Sequence, residues 1–154
     1  MNLLSAQNLA SELFTIHKLK NWSFQFDRAK RRFGCCNFST KTISLSRTLV
    51  ELNAPQKVKD TLLHEIAHAL IGPRQGHNSV WRKKVIEIGG EPNAHFREEE
   101  IELPKAKLLA ICPHCQKTFP TFRKRKNVAC RACCLKFNGG KFSKKFLLEF
   151  REVN

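Results

Sequence analysis

Three polar side chains interrupt the apolar segment 62–71, and they form the pattern His64-Glu65-x-x-His68. Residues four positions apart lie above one another on the same face of a helix, so the two imidazoles can bind one metal ion. A carboxylate beside the first ligand can take a proton from a metal-bound water. The pattern therefore predicts a catalytic zinc ion bound by His64 and His68, with Glu65 as the catalytic base.

A catalytic zinc ion normally has three protein ligands and one open position. A third histidine six residues after the second would fit one known zinc pattern, but that position holds Arg74. His77 is the preferred third ligand, because the glycine-bearing loop 72–76 can turn its imidazole back over the helix. Glu87 and His95 are the alternatives. Glu87 is expected on the exposed side of the next helix, and little in the sequence fixes the position of His95.

A second metal site is predicted in the last third of the chain. Two Cys-x-x-Cys knuckles, separated by 14 residues, contain the candidate thiolates Cys112, Cys115, Cys130 and Cys133. Four thiolates fill a tetrahedral shell and leave no open position, which is typical of structural zinc. Cys134 remains an alternative to Cys133, because knuckle spacings of two to four residues occur. The protein is therefore expected to bind two Zn²⁺ ions, one catalytic and one structural.

Basic residues are concentrated in the same region. Residues 1–104 contain 15 Lys and Arg against 11 Asp and Glu, whereas residues 105–154 contain 13 against 2, so +11 of the net +15 lies in the second part. Concentrated positive charge on a small module favours a nucleic-acid partner. The residues expected to contact phosphates are Arg123, Lys124, Arg125, Lys126, Lys141, Lys144 and Lys145.

Phenylalanines alternate with these basic residues. Exposed aromatic rings can stack on unpaired bases, which favours DNA that is single-stranded or contains single-stranded regions. A module of this size also needs apolar side chains for its core. We expect at least half of the following four rings to be buried: Phe119, Phe122, Phe137 and Phe142.

Apolar spacing and capping residues predict three helices in the first part of the chain. The first spans residues 3–19. The metal-binding helix spans residues 54–71, with Asn53 as N-cap, Pro55 in its first turn and Gly72-Pro73 at its end. The third follows Asn78 or Ser79 and is closed by Gly89-Gly90.

Three short strands are predicted between the first two helices. One contains Trp22, Phe24 and Phe26, and the other two, 31–36 and 42–46, form a hairpin. Cys35 and Cys36 are adjacent in a strand and face opposite sides, so they are not joint metal ligands. Residues 91–103 are expected to form a connecting segment. The composition changes at Pro104, which indicates one domain over residues 1–104 and a second, small module over 105–154.

Composition limits the class of protein. No apolar stretch approaches the roughly 20 residues that span a bilayer, and the N-terminus lacks the features of a signal peptide. Seven cysteines in such a chain indicate metal binding more than disulfides. We expect a cytoplasmic, DNA-associated protein that is a monomer and does not bind membranes.

The sequence resembles the SprT-like zinc metalloproteases, the group that includes the catalytic domain of Spartan. The shared motifs are Phe26-Asp27-Arg28-Ala29-Lys30-Arg31-Arg32, Thr42-Ile43-Ser44-Leu45-Ser46, Thr61-Leu62-Leu63-His64-Glu65-Ile66-Ala67-His68-Ala69 and Gly76-His77-x-x-x-Trp81. The resemblance implies an α+β fold, with a zincin-like core of helices and a small sheet followed by a small β-rich zinc ribbon. It also implies that His64, His68 and His77 bind zinc, that Glu65 is the catalytic base, and that the substrates are proteins bound or crosslinked to DNA.

Two other functions remain open. The zincin fold could serve only as the scaffold of a non-enzymatic DNA-binding protein, although Glu65 would then have no purpose between the two ligands. The protein could instead be a regulatory protease that cleaves one repressor. The donor that stabilises the reaction's oxyanion is also open, because the chain contains no tyrosine. A backbone N–H, Arg74, His95 or another nearby side chain must supply it.

Overall fold

The computed structural model describes residues 1–93 and 101–153, and the chain separates into two compact units, Met1–Pro104 and Lys105–Asn154. Within its described residues, 1–93 and 101–104, the first unit contains four helices and three strands. In chain order these are α1 (Leu3–Ile16), β1 (Ser23–Asp27), β2 (Gly34–Asn37), β3 (Thr42–Ser46), α2 (Arg47–Leu52), α3 (Pro55–Ile71) and α4 (Ser79–Glu87).

The sheet of the first unit has β3 at its centre. Its order is β1-β3-β2, with β1 parallel to β3 and β2 antiparallel to β3, so β2 and β3 form the predicted hairpin. All five residues of β3 are buried. Ile43 and Leu45 join the hydrophobic core. The alternate residues Ser44 and Ser46 donate their hydroxyls to the Asp27 carboxylate at the end of β1 and to the Ala29 carbonyl just after it.

Helix α3 packs against the core. It begins at Pro55, one residue later than a cap at Asn53 would require. Its N-cap is Ala54, and the prediction that Asn53 caps it is wrong. The Asn53 amide instead donates to the carbonyls of Leu49 and Glu102, both at 2.9 Å, and its oxygen accepts from the Glu102 N–H at 2.7 Å. Asn53 therefore ends α2, a six-residue helix that was not predicted, and ties it to a segment 49 residues later.

Helices α1 and α4 show how local backbone conformation sets helix ends. α1 stops at Ile16 instead of residue 19, because Lys18 has a left-handed φ of 56°. The reversal lets the Leu19 N–H donate to the Phe14 carbonyl at 2.9 Å and buries Leu19. α4 begins as predicted, with the Asn78 side chain accepting from the N–H groups of Val80 and Trp81.

The second unit is a three-stranded antiparallel sheet with one α-helix and one turn of 3₁₀-helix. The sheet order is β5-β4-β6. The elements are β4 (Leu108–Ile111), β5 (Thr118–Thr121), α5 (Arg131–Phe137), the 3₁₀ turn (Lys144–Phe146) and β6 (Glu149–Glu152). Together the two units confirm the predicted α+β class.

The expectation for the phenylalanines of the second unit is wrong. Phe119, Phe137 and Phe142 are 40%, 53% and 53% exposed, and Phe122 is only half-buried. The buried ring is Phe146, which packs among four cysteine side chains. Because the cysteines occupy most of the small interior, little apolar volume is left for further rings.

Across the described parts of the chain, no helix has both the length and the apolar character needed to cross a bilayer.

Candidate metal centres

Three histidine side chains converge on one point of the first unit. α3 places His64 and His68 one turn apart, and the loop after α3 returns His77 to the same point. The His77 Nε2 atom lies 3.0 Å from the His64 Nε2 atom and 3.1 Å from that of His68. The structure thus brings together the three residues predicted to bind the catalytic metal.

The loop between α3 and α4 reverses direction through left-handed residues. Gly72, Arg74 and Gly76 have φ angles of 86°, 79° and 53°. Glycine adopts this conformation without steric cost, which explains the glycines at two of the three positions. These backbone angles therefore explain how the glycine-bearing loop returns His77 to α3.

The three imidazoles suit a metal ion. A tetrahedral zinc ion with Zn–N distances of about 2.1 Å would hold its nitrogen ligands about 3.4 Å apart, close to the observed spacing. Burial and, as a smaller cause, the nearby His77 lower the pKa of His68 to about 4. His68 is therefore neutral near pH 7 and presents a lone pair. Three histidines with an open fourth position are the ligand set of a catalytic zinc site.

Trp81 forms the wall behind the three histidines. Its ring is fully buried, and its centroid lies 4.7, 5.5 and 4.6 Å from the centroids of His64, His68 and His77. Helix α4 fixes this position, because Asn78 caps its first turn three residues before Trp81. Within residues 1–93 and 101–153, the Trp81 Nε1 atom has no hydrogen-bond partner, so the side chain acts here through packing. Restricting the imidazoles in this way helps to preorganise a metal site.

Glu65 lies beside the histidines in a cavity of about 360 Å³ that His64 and His77 also line. The side chain is buried, with 8% of its surface exposed. Burial raises the pKa of its carboxyl to about 7, although the Arg32 charge and the Cys36 backbone N–H act in the opposite direction. A carboxyl with a pKa near neutrality can both accept and return a proton at physiological pH.

Gly34 at the start of β2 provides the space that Glu65 occupies. A Cβ atom at position 34 would lie 2.6 Å from the Glu65 Oε1 atom and 2.8 Å from the Thr61 Cγ2 atom. We expect Gly34→Ala to displace the Glu65 carboxylate and lower kcat about tenfold to a hundredfold, since small misplacements of catalytic groups have effects of this size. Zinc content should stay unchanged, because no histidine atom is among the three nearest to that Cβ. Unchanged kcat, or loss of zinc with kcat, would contradict this role.

Of the two alternative third ligands, Glu87 does not join the site. Glu87 is 64% exposed and pairs with the Lys84 Nζ atom at 2.7 Å. His95 lies outside the described residues. Arg74 is absent from the lining of the cavity, which instead includes Arg31 and Arg32, two residues that the sequence analysis did not single out. The feature of the sequence that pointed to them was their place in the shared motif of residues 26–32.

Four cysteine thiols converge in the second unit. Cys112 Sγ lies 3.8 Å from Cys133 Sγ, and Cys115 Sγ lies 3.7 Å from Cys130 Sγ. A tetrahedral zinc ion with Zn–S distances of about 2.3 Å requires sulfur separations of about 3.8 Å. The cluster takes Cys133 and leaves out the buried Cys134. These thiols therefore have the spacing of a closed, structural zinc site.

His114 supports this cluster from the knuckle turn. Its Nδ1 atom lies 3.6 Å from the Cys133 sulfur, and its ring packs edge-on against Phe137 and Phe146. A ring N–H directed at a ligand sulfur is a common outer-shell contact in metal sites. His114 thus lies beside the four thiols and is not one of the four candidate ligands.

The basic residues of the second unit are all exposed. Residues 123–126 follow β5, and Lys141, Lys144 and Lys145 lie at and just before the 3₁₀ turn. In the part of the chain that the structure describes, none of these seven residues forms an ion pair with a carboxylate. Their charges are therefore available to a polyanion.

A comparison with protein families agrees with the motifs. A model of the SprT-like family matches residues 5–102. Among solved structures, the chain is similar to the metallopeptidase zymogen jannalysin of Methanocaldococcus jannaschii, with 18% identity, a TM-score of 0.48, and coverage of 62% of this chain and 85% of that one. No curated protein sequence matches. Because the family match extends over more than half of its residues, the chain belongs to the SprT-like family.

Proposed function

We propose that this protein is a zinc-dependent endopeptidase that cleaves proteins bound or crosslinked to DNA. The observation that carries the peptidase activity is the position of Glu65, buried beside three converging histidines in one cavity. Membership of the SprT-like family over residues 5–102 supports a metalloprotease.

The residues of the first unit have distinct tasks in the proposed hydrolysis. His64, His68 and His77 would hold the zinc ion, which acts as a Lewis acid, lowers the pKa of water and polarises a carbonyl group. The Glu65 carboxylate accepts a proton from the water whose oxygen attacks the scissile carbonyl carbon. When the C–N bond breaks, Glu65 returns this proton to the leaving amine nitrogen.

The second unit would bind a structural zinc ion through its four clustered thiols. A unit of 50 residues buries little apolar surface, and its core consists mainly of the cysteines and Phe146. Metal binding would therefore contribute much of its folding free energy.

The proposed DNA partner is supported by charge and by exposed aromatic rings. Residues 105–154 carry a net charge of +11, from 13 basic and 2 acidic residues. Their exposed lysines and arginines can neutralise phosphates. The exposed rings of Phe119, Phe137 and Phe142 can stack on unpaired bases, which favours DNA with single-stranded regions.

The test of this function uses zinc-loaded protein with linker histone as substrate, without DNA, with single-stranded DNA and with duplex DNA. Cleavage stimulated by DNA is the expected result, with the strongest effect from single-stranded DNA. DNA binding without cleavage of any substrate would favour the scaffold function. Cleavage of a single repressor sequence, independent of DNA, would favour the regulatory protease.

The basic run at residues 123–126 allows a more specific prediction. Replacing all four of these residues by alanine should weaken binding to single-stranded DNA and reduce the slope of log K against log salt by up to about 3, since each phosphate contact contributes about 0.7. The matched control removes four exposed charges from the first unit. Its substitutions are Lys20→Ala, Arg47→Ala, Lys59→Ala and Lys83→Ala.

Fluorescence anisotropy over a salt series measures both variants. Equal slopes for the two variants would show that long-range charge, and not the run itself, determines DNA affinity.

A further inference from the structure

We propose that Arg32 is a catalytic residue that donates to the oxyanion formed on the scissile carbonyl during peptide hydrolysis. This inference rests on the proposed peptidase function and supplies a donor that the function requires. Negative charge that develops on the carbonyl oxygen is stabilised best by a donor already held in position. The chain has no tyrosine to supply one.

Arg32 belongs to the lining of the candidate active-site cavity. It lines the same cavity of about 360 Å³ as His64, Glu65 and His77. Arg74, a candidate from the sequence, does not line this cavity. A guanidinium group is charged at every physiological pH and carries five N–H donors, so it can bind an oxyanion without any proton transfer.

The Arg32 side chain is held by a carboxylate at the end of β1. Its Nη2 atom donates to the Asp27 Oδ2 atom at 2.7 Å. Asp27 is itself fixed to the sheet, because Oδ2 also accepts from the Ser44 hydroxyl at 2.8 Å and Oδ1 accepts from the Ala29 N–H at 2.9 Å. The ion pair therefore orients a guanidinium group that is otherwise half-exposed.

The backbone around Arg32 is fixed on both sides. Before it, the Ser46 hydroxyl donates to the Ala29 carbonyl at 2.7 Å. After it, the Ser46 N–H donates to the Phe33 carbonyl at 2.7 Å, and the Phe33 ring is buried. Ser46 thus ties the segment that carries Arg32 to the end of the central strand. Such a fixed donor needs little rearrangement during the reaction.

Arg31 lines the same cavity and is the competing candidate. For Arg32 the structure gives a fixed anchor, the ion pair with Asp27, and Arg31→Ala tests the competing residue. That ion pair occupies one nitrogen of the guanidinium group, and the group has N–H donors on its other nitrogens. Arg32 is therefore the residue we assign.

The proposed step balances in charge and atoms. A water oxygen forms a bond to the carbonyl carbon, Glu65 takes the water proton, and the electron pair of the C=O π bond moves to the carbonyl oxygen. Arg32 donates a hydrogen bond to this oxyanion and keeps its own proton. When the C=O double bond re-forms, the C–N bond breaks and the amine nitrogen receives the proton from Glu65.

The experiment compares zinc-loaded Arg32→Ala with Arg28→Ala. Arg28 is an exposed arginine of the same loop that does not line the cavity, so the control removes the same charge. With casein as substrate and single-stranded DNA present, Arg32→Ala should lower kcat about a hundredfold to a thousandfold, the usual effect of losing one oxyanion donor, with little change in KM. Arg32→Lys should recover part of this loss. Arg28→Ala should retain the wild-type kcat.

A second measurement is independent of turnover. A phosphinic pseudopeptide carries two oxygens at a tetrahedral centre and resembles the reaction intermediate. In the zinc-loaded Glu65→Gln background, Arg32→Ala should weaken binding of this pseudopeptide at least about tenfold, while binding of the matching amide peptide stays the same. Calorimetry measures both affinities, and metal analysis confirms equal zinc content.

The outcomes separate this inference from the proposed function. If wild-type protein cleaves casein, Glu65→Gln does not, and Arg32→Ala behaves like Arg28→Ala in both measurements, the assignment of Arg32 is wrong and the peptidase function stands. Equal weakening of amide and pseudopeptide binding would also overturn the assignment. So would a result in which Arg31→Ala, and not Arg32→Ala, shows the losses of kcat and of pseudopeptide binding. If wild-type protein neither cleaves casein nor binds the pseudopeptide, both proposals fail.

Discussion

Glu65→Gln should keep zinc at the three histidines and lower kcat for peptide hydrolysis by about a thousandfold, within the range that general acid–base catalysis contributes. The amide has nearly the shape of the carboxylate, but it cannot accept the water proton. Glu65 is not one of the three residues whose ligand atoms converge, so the affinity for the metal should change little. Metal analysis and casein turnover check the two parts. More than about a tenth of wild-type kcat would rule out Glu65 as the base, since general bases contribute at least about a hundredfold.

The same residue determines the pH dependence on the acidic side. Burial raises the pKa of Glu65 to about 7, and only the ionised carboxylate accepts a proton. A zinc ion at the neighbouring histidines lowers this pKa, because positive charge favours the carboxylate. We therefore expect kcat/KM of the zinc-loaded wild type to fall on the acidic side, approaching tenfold per pH unit, with a midpoint below pH 7.

The raised pKa also has a consequence for the stability of the zinc-free protein. A carboxyl whose pKa is about 7 when folded and 4.5 in the reference state binds more protons when folded, so its stabilising contribution is complete below 4.5 and is lost as the pH rises through 7. Glu65→Gln has no carboxyl to ionise, so it does not lose stability in this way as the pH rises. Its advantage over the wild type in the free energy of unfolding should grow between pH 5 and 8, by on the order of 3 kcal/mol. A constant difference across this range would show that Glu65 titrates normally.

Cys133→Ala should reduce the zinc stoichiometry from two to one and unfold the second unit. The Cys133 sulfur belongs to the four-thiol cluster, and apparent binding free energies of structural zinc are about 10–16 kcal/mol in small domains. Loss of one of four ligands should therefore remove most of the free energy that keeps residues 105–153 folded. Amide chemical shifts of these residues should collapse to random-coil values.

Cys134→Ala is the matched control for this prediction. Cys134 is equally a buried cysteine of α5, but its sulfur is not part of the cluster. The variant should bind two zinc ions and lose only the small amount of stability that follows from removing one buried sulfur. Native mass spectrometry gives both stoichiometries. Two ions in Cys133→Ala and one in Cys134→Ala would reverse the ligand assignment.

Local patterns predicted those parts of the molecule in which the relevant partners are close in sequence. His64 and His68 are one helical turn apart, Pro55 and Gly72 delimit the same helix, and Asn78 caps the next one. Each of these contacts follows from propensity and helix geometry. His77 was also predicted to lie beside them. The glycine-bearing loop between the two predicted helices is short, so it keeps His77 close to α3.

Contacts between distant residues explain what the sequence did not reveal. Asn53 caps no helix N-terminus, because its amide pairs with Glu102, 49 residues away. Arg32 was overlooked as a site residue, since its orientation depends on Asp27 and, through it, on Ser44 of the central strand. The exposed phenylalanines of the second unit were misassigned because the thiol cluster, not apolar packing, fills the interior.

The central claim is that the three histidines and Glu65 form a zinc-dependent endopeptidase site. The most direct measurement is mass spectrometry of new N-termini in casein after incubation with four samples. These are the zinc-loaded wild type, the wild type after chelation, the chelated wild type with zinc restored, and zinc-loaded Glu65→Gln. New internal N-termini should form in the first and third samples only. Equal cleavage by Glu65→Gln, or no cleavage by the zinc-loaded wild type with or without single-stranded DNA, would contradict the account.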